Sequence, residues 1–242
     1  MTTADAKRAW TWEHWFGLTG LAALIAGVYI GLFVAPTERF MGEVYRILYV
    51  HVPLQWNALV CFFGAGFVGA ASLWKRKAWI DGMLVGVIEV GVVLETAGLL
   101  SGIVWAKPTW GVYWAWDPRL TFTFVMWLTF LGVLALRRFA EEHRRAPWTA
   151  AASIVASVNA PLVYYSVNWW RSIHQMQSSP ETVHTTMILP LRINAIALFL
   201  VCVWCVARRA RISRARLRRP FTARWYAAGS STRGTTPPLR GR

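Results

Sequence analysis

Apolar residues fall in six long blocks separated by short polar stretches, at roughly residues 15–35, 53–74, 82–106, 118–138, 147–167 and 185–206. Each block is about 20 residues long, the length that carries a helix across a bilayer. The fold class expected is therefore all-α: a polytopic membrane protein with about six transmembrane helices. Its parts are a short N-terminus (residues 1–14), a six-helix membrane domain (15–206) with a tryptophan-rich loop at 107–120, and a basic tail (207–242). Lys7 and Arg8 precede the first block as they would in a signal peptide, but its length suits a retained span better than a cleaved one.

Local signals set the block ends. Pro36 closes the first span, and Pro53 reads as the first residue of the second, because a helix start needs no proline N–H. That places His51 just ahead of the second span, at the depth of the membrane surface. Asp117 followed by Pro118 is a good N-cap and first helical residue for the fourth span. Asn159 and Pro161 interrupt the fifth, which predicts a kink whose freed backbone groups are satisfied by neighbouring helices. The third carries Glu89 and Glu95, about 120° from eclipsed on a helix and so on different faces. Ionisable groups at that depth are functional candidates by default, and here they read as paired or protonated structural carboxyls.

Charge gives the orientation. Lys75, Arg76, Lys77, Arg137, Arg138, Arg144 and Arg145 share one side with the tail, whereas the other loops mix Arg39, Arg46, Lys107, Arg119 and Arg171 with acidic residues. The positive-inside rule makes both termini cytoplasmic. His51, the tryptophan-rich loop and His174 then face outward.

Composition agrees: 56% of residues are hydrophobic and 15% charged, with a mean hydropathy of +0.38. The net charge of +15 does not point to nucleic acid, because the basic residues sit between and after the apolar blocks, as topology signals and anionic-lipid contacts. Eleven of the 26 Lys and Arg lie beyond Ala207, in an Arg-, Gly-, Ser- and Pro-rich tail expected to be disordered. Cys61, Cys202 and Cys205 lie inside apolar blocks and imply no disulfide framework; the Cys202–Cys205 spacing reads as packing.

The concentrated chemistry is in residues 110–121, WGVYWAWDPRLT. Trp110, Tyr113, Trp114 and Trp116 make an aromatic platform with Asp117 and Arg119 at its edge. It suits a large, planar, mostly apolar ligand carrying carboxylates, a description that porphyrin fits. An interfacial aromatic belt would also use Trp and Tyr, but needs no fixed spacing and no Gly111, Asp117 or Arg119. Two histidines from different loops, His51 and His174, could supply both axial ligands of a haem iron, with Trp169, Trp170 and Arg171 beside the second. His14, His143 and His184 lack that context.

The run Trp110, Gly111, Trp114, Trp116, Asp117, Arg119, Leu120, Thr121 resembles the WGxxWxWDxRLT signature of the tryptophan-rich (WWD) haem-handling family that serves cytochrome c maturation. Over roughly residues 10–207 the chain is most similar to the haem exporter protein C branch, with YRILYVHVP and YYSVNWWRSIHQ matching its two histidine-bearing segments. The resemblance implies bis-histidine binding of haem b by His51 and His174 at the periplasmic face of the bacterial inner membrane. It also implies delivery to a periplasmic haem chaperone, with a small single-span subunit and an ATP-driven transporter taking part, and no catalysis of bond chemistry. It assigns no role to Glu89, Glu95 or the tail. Two rivals stand beside it. A b-type electron-transfer cytochrome would place its histidines within spans, and an ion or solute transporter built on Glu89 and Glu95 would tend to show internal repeats.

Overall fold

The computed structural model describes residues 12–174 and 184–216. They form helices α1 (Trp12–Tyr29), α2 (Leu48–Lys75), α3 (Ala78–Trp110), α4 (Pro118–Phe139), α5 (Glu142–Ser157), α6 (Asn159–Trp169) and α7 (Thr185–Arg216). No strand is present among the described residues. α1 runs on into a widened turn over Ile30–Val34, and a tight helical turn over Glu43–Ile47 leads into α2. With α5 and α6 taken together, six stretches are long and apolar enough to cross a membrane. The protein is thus an all-helical polytopic membrane protein, as the apolar blocks predict.

The second span begins earlier than expected. Pro53 sits inside α2 instead of opening it, and His51 lies within the helix, buried, not ahead of it. A proline inside a helix deprives the carbonyl four residues earlier of its donor. Here that carbonyl belongs to Tyr49, and the Asn194 amide of α7 donates to it at 2.9 Å. Asn57 makes the reciprocal link, donating to Pro53 O at 2.9 Å and to Ala195 O of α7 at 3.1 Å. Asn194 therefore supplies the donor that Pro53 removes, in a setting where water is absent, and Asn57 adds a second link between α2 and α7.

α2 is the centre of the bundle, packed against α3, α5 and α7, while α1 leans on α7 and α4 packs on α5 and α6. The core is built on Phe62 of α2 stacked on Phe130 of α4, with centroids 4.2 Å apart, among Ala58, Leu84, Ile88 and Met126. A smaller cluster of Tyr45, Leu48, Tyr49, Trp105 and Leu191 seals the loop end. There the Arg46 guanidinium donates to Ala35 O (2.8 Å) and Gly31 O (3.2 Å), capping the end of the first span.

The opposite end, which holds the start of α1 and the end of α7, is laced by ion pairs. Arg137 grips Asp81 with two bonds of 2.9 and 2.8 Å, and Arg209 grips Glu89 with bonds of 2.7 and 3.0 Å. Arg211 meets the buried Glu13 at 2.7 Å. Glu89 is thus a paired structural carboxylate. Cys61 and Cys202 are free thiols in the core, and Cys205 is half-buried.

The fifth span breaks at Val158, between α5 and α6, and the Asn159 amide bonds Phe122 O of α4 at 3.1 Å. Two boundaries differ from the apolar pattern. Lys107 to Trp110 continue α3 as its last turn, so the connector to α4 is shorter than the expected loop. Residues 207–216 continue α7, held by the ion pairs just described; the tail beyond them lies outside the described residues.

If Asn194 repairs the helix at Pro53, Asn194→Leu orphans the Tyr49 carbonyl. The detergent-solubilised variant should lose about 1–3 kcal/mol of stability, read as a lowered midpoint of thermal unfolding. An unchanged midpoint would refute that role.

Candidate functional site

At the loop end a cleft opens between the α2–α3 pair and the α4–α6 pair, with about 1330 Å³ of empty space including its open side. His51, Gln55, Trp105, Trp110, Trp114 and Arg119 are among the residues that line it, and His174 completes it from the segment after α6.

His51 is fixed by chemistry as well as by burial. Its Nδ1 lies 3.1 Å from Gly98 O and 3.0 Å from Ser101 Oγ. A carbonyl can only accept, so the proton is on Nδ1 and the lone pair on Nε2 is available, the arrangement that orients a metal-binding imidazole. The ring packs edge-on to Trp105, with centroids 5.5 Å apart. Gly102 lets α3 come this close: a Cβ there would stand 3.0 Å from His51 Cε1. His174 is braced in the same way by Trp110, at 6.0 Å. Both imidazoles thus rest against tryptophans from the last two turns of α3.

The connector from α3 to α4 turns sharply at Gly111, whose φ of +78° a side chain would disfavour. Lys107 donates to Gly111 O at 2.9 Å and lies over the Tyr113 ring. At the far side Asp117 caps α4 by accepting from Arg119 N at 2.9 Å. The same carboxylate accepts from Ser172 Oγ at 3.0 Å and from Ile173 N at 2.9 Å, and Ser172 Oγ in turn accepts from His174 N at 3.0 Å. One buried carboxylate therefore joins the tryptophan-rich connector to the segment that presents His174.

Among the residues singled out from the sequence, His51, His174, Trp110, Tyr113, Trp114 and Arg119 come together in the cleft. Trp116, Asp117 and Arg171 instead line a shallow depression on the outer surface. Trp116 touches the cleft only through Trp114, edge-on at 5.7 Å. Trp169 stacks on Tyr165 at 5.3 Å and Trp170 tilts against Phe122, so neither lines the cleft. His184 bonds Thr186 at 2.9 Å, while His143 and His14 sit at the opposite end of the bundle near Arg144 and Arg208. Sequence reasoning missed Gln55, Trp56, Leu59 and Trp105. Gln55 and Leu59 stand four and eight residues after His51, one face of a helix, and that spacing was a usable signal.

The donor set fits a porphyrin's needs. No cluster of three or more His, Cys, Asp or Glu able to hold a bare metal ion occurs among the described residues. Two imidazoles on one cleft suffice when a macrocycle supplies the other donors. The Arg119 Nη1 and Trp114 Nε1 atoms are buried without a hydrogen-bond partner, leaving donors for an anionic ligand.

Asp117→Ala should cost about 1 kcal/mol through the lost cap alone. It should also release the Ile173 amide to rapid hydrogen exchange. Protection of Ile173 unchanged in the variant would rule out the tether.

Comparison with known proteins places the chain in a family. The sequence profile of the family described as heme exporter protein C matches residues 3–226. Heme exporter protein C of Bradyrhizobium diazoefficiens is 30% identical over 211 residues, covering 84% of this chain and 80% of the relative. The Escherichia coli K12 protein of that name is 29% identical over 202 residues, 81% of each chain. A putative cytochrome c biosynthesis ccmC-like mitochondrial protein of Arabidopsis thaliana is 32% identical over 197 residues, 78% of this chain and 72% of that one. With a profile spanning nearly the whole sequence and a six-span bundle to match, the chain belongs to the heme exporter protein C family.

Proposed function

We propose that this protein binds haem at the outer face of the bacterial inner membrane and hands it to a periplasmic haem chaperone for c-type cytochrome assembly. Membership of the heme exporter protein C family supports a role in handling haem for cytochrome c maturation. The observation that carries the reading is the cleft with His51 and His174 on its walls, His51 anchored through Nδ1 to a backbone carbonyl.

In this reading His51 Nε2 and a nitrogen of His174 are the axial ligands, Trp110 and Trp114 pack against the porphyrin of haem b, and Arg119 holds a propionate. Tyr113 closes the rim. Trp116, Asp117, Trp169, Trp170 and Arg171 act from outside the cleft: Asp117 holds the His174 segment, while the exposed Trp116, Trp169, Trp170 and Arg171 offer a surface for the chaperone. The work is binding and presentation, not catalysis. Both termini lie in the cytoplasm, with the basic end of the bundle against anionic lipids. A single-span subunit and an ATP-driven transporter are the assembly partners.

The placement of His51 inside α2 brings one feature of a b-type electron carrier. Against that role, the histidines at the opposite end of the described structure, His14 and His143, are engaged by arginines. A carrier moving electrons across the bilayer would need a second site there.

Purified with a haem supply, the protein should show a low-spin bis-histidine spectrum. His51→Ala and His174→Ala should each abolish it and lower haem retention by more than about tenfold, beyond the loss typical of an outer-shell partner. A spectrum indifferent to both substitutions would end the ligand assignment.

A further inference from the structure

The imidazole of His51 is cradled by one face of α3. Gly98, Ser101, Gly102 and Trp105 follow one another at the spacing of a single helix face. Gly98 offers its carbonyl to Nδ1, Gly102 clears room for Cε1, and Trp105 meets the ring edge-on. The fourth member, Ser101, brings its hydroxyl oxygen to 3.0 Å from Nδ1.

The direction of the hydroxyl proton follows from a second contact: Ser101 Oγ donates to Gly98 O at 2.9 Å. Serines in helices commonly bond back to a carbonyl three or four residues earlier. Ser157 and Ser166 do so here, with Ile154 O and Val163 O, each at 2.8 Å. Of these three described serines only Ser101 also has an imidazole nitrogen at hydrogen-bond distance. With its one proton committed to Gly98 O, the hydroxyl can meet Nδ1 only as an acceptor. The Nδ1–H of a buried ring thus faces two oxygens, one from the backbone and one from a side chain.

We propose that Ser101 is a positioning residue of the haem site: its hydroxyl holds His51 in the Nδ1–H tautomer and biases the site toward oxidised iron. The inference rests on the haem reading given above. An acceptor on Nδ1–H draws the proton away from the ring, which leaves Nε2 richer in electrons and a stronger donor to a metal. A stronger axial donor stabilises ferric over ferrous iron, so hydrogen bonding behind the ligand lowers the reduction potential. Ser101 does not line the cleft and acts only through His51.

The test compares full-length wild type with Ser101→Ala, with Ser101→Thr, which keeps the hydroxyl, and with Ser157→Ala as a control, all in detergent. In the haem-free proteins, nitrogen-15 NMR of labelled histidine reads the tautomer of His51. Ser101→Ala should lower the ratio of the Nδ1–H to the Nε2–H form by roughly threefold, part of the worth of one hydrogen bond. Loaded with haem, Ser101→Ala should keep the low-spin spectrum and lower the ratio of ferric to ferrous affinity by roughly threefold. That is a rise of about 30 mV in midpoint potential, at about 59 mV per tenfold for one electron. Ser101→Thr and Ser157→Ala should match wild type in both measurements. A tautomer ratio or a potential unmoved in Ser101→Ala, or moved equally in Ser101→Thr or Ser157→Ala, would overturn the proposal while leaving the haem site intact. A wild-type protein that takes up no haem would overturn both, and the tautomer ratio, read without haem, tells the two failures apart.

Discussion

The carbonyl of Tyr49 is the constraint on which the site depends. Pro53 removes its donor, and in a bilayer no water replaces it. Because Asn194 of α7 fills that place, α2 can start at Leu48 and carry His51 inside its first turns. Were the helix to begin at Pro53, His51 would belong to a loop and Gly98 would have no imidazole to hold. The ligand position thus rests on an amide contributed by the last helix of the bundle.

A second economy governs the loop end. The tryptophan-rich connector has few residues in which to turn from α3 into α4, and Asp117 serves both its own helix and the segment after α6. Helix start and histidine placement are consequently one structural event. At the other end, arginines of α4 and α7 close on Asp81, Glu89 and Glu13, so charge there is spent on holding helices together. Unsatisfied charge is kept in the cleft, where a ligand can meet it.

The spans were legible from apolar block length, and the Asp117–Pro118 pair correctly marks the start of α4, because both signals are local. Trp110, Tyr113, Trp114 and Arg119 converge on the cleft for the same reason, because one short stretch packs them between two spans, while His51 and His174 reach it from other segments. What one sequence does not carry is a partnership across distance. Nothing near Pro53 announces Asn194, so the proline reads as a start. Trp169, Trp170 and Arg171 looked equivalent to their neighbours, yet the bonds of Ser172 and Ile173 to Asp117 turn His174 inward and leave those three outside.

The break at Val158 has a mechanical meaning. Below it α5 is packed on the central α2; above it α6 packs on α4 and leads to His174. His51 and His174 therefore stand on opposite sides of a seam, one fastened to the rigid middle of the bundle and the other to its outer wall. The Phe62–Phe130 stack ties α2 to α4 across that seam, so the wall that carries His174 is joined to the helix that carries His51 by the core itself.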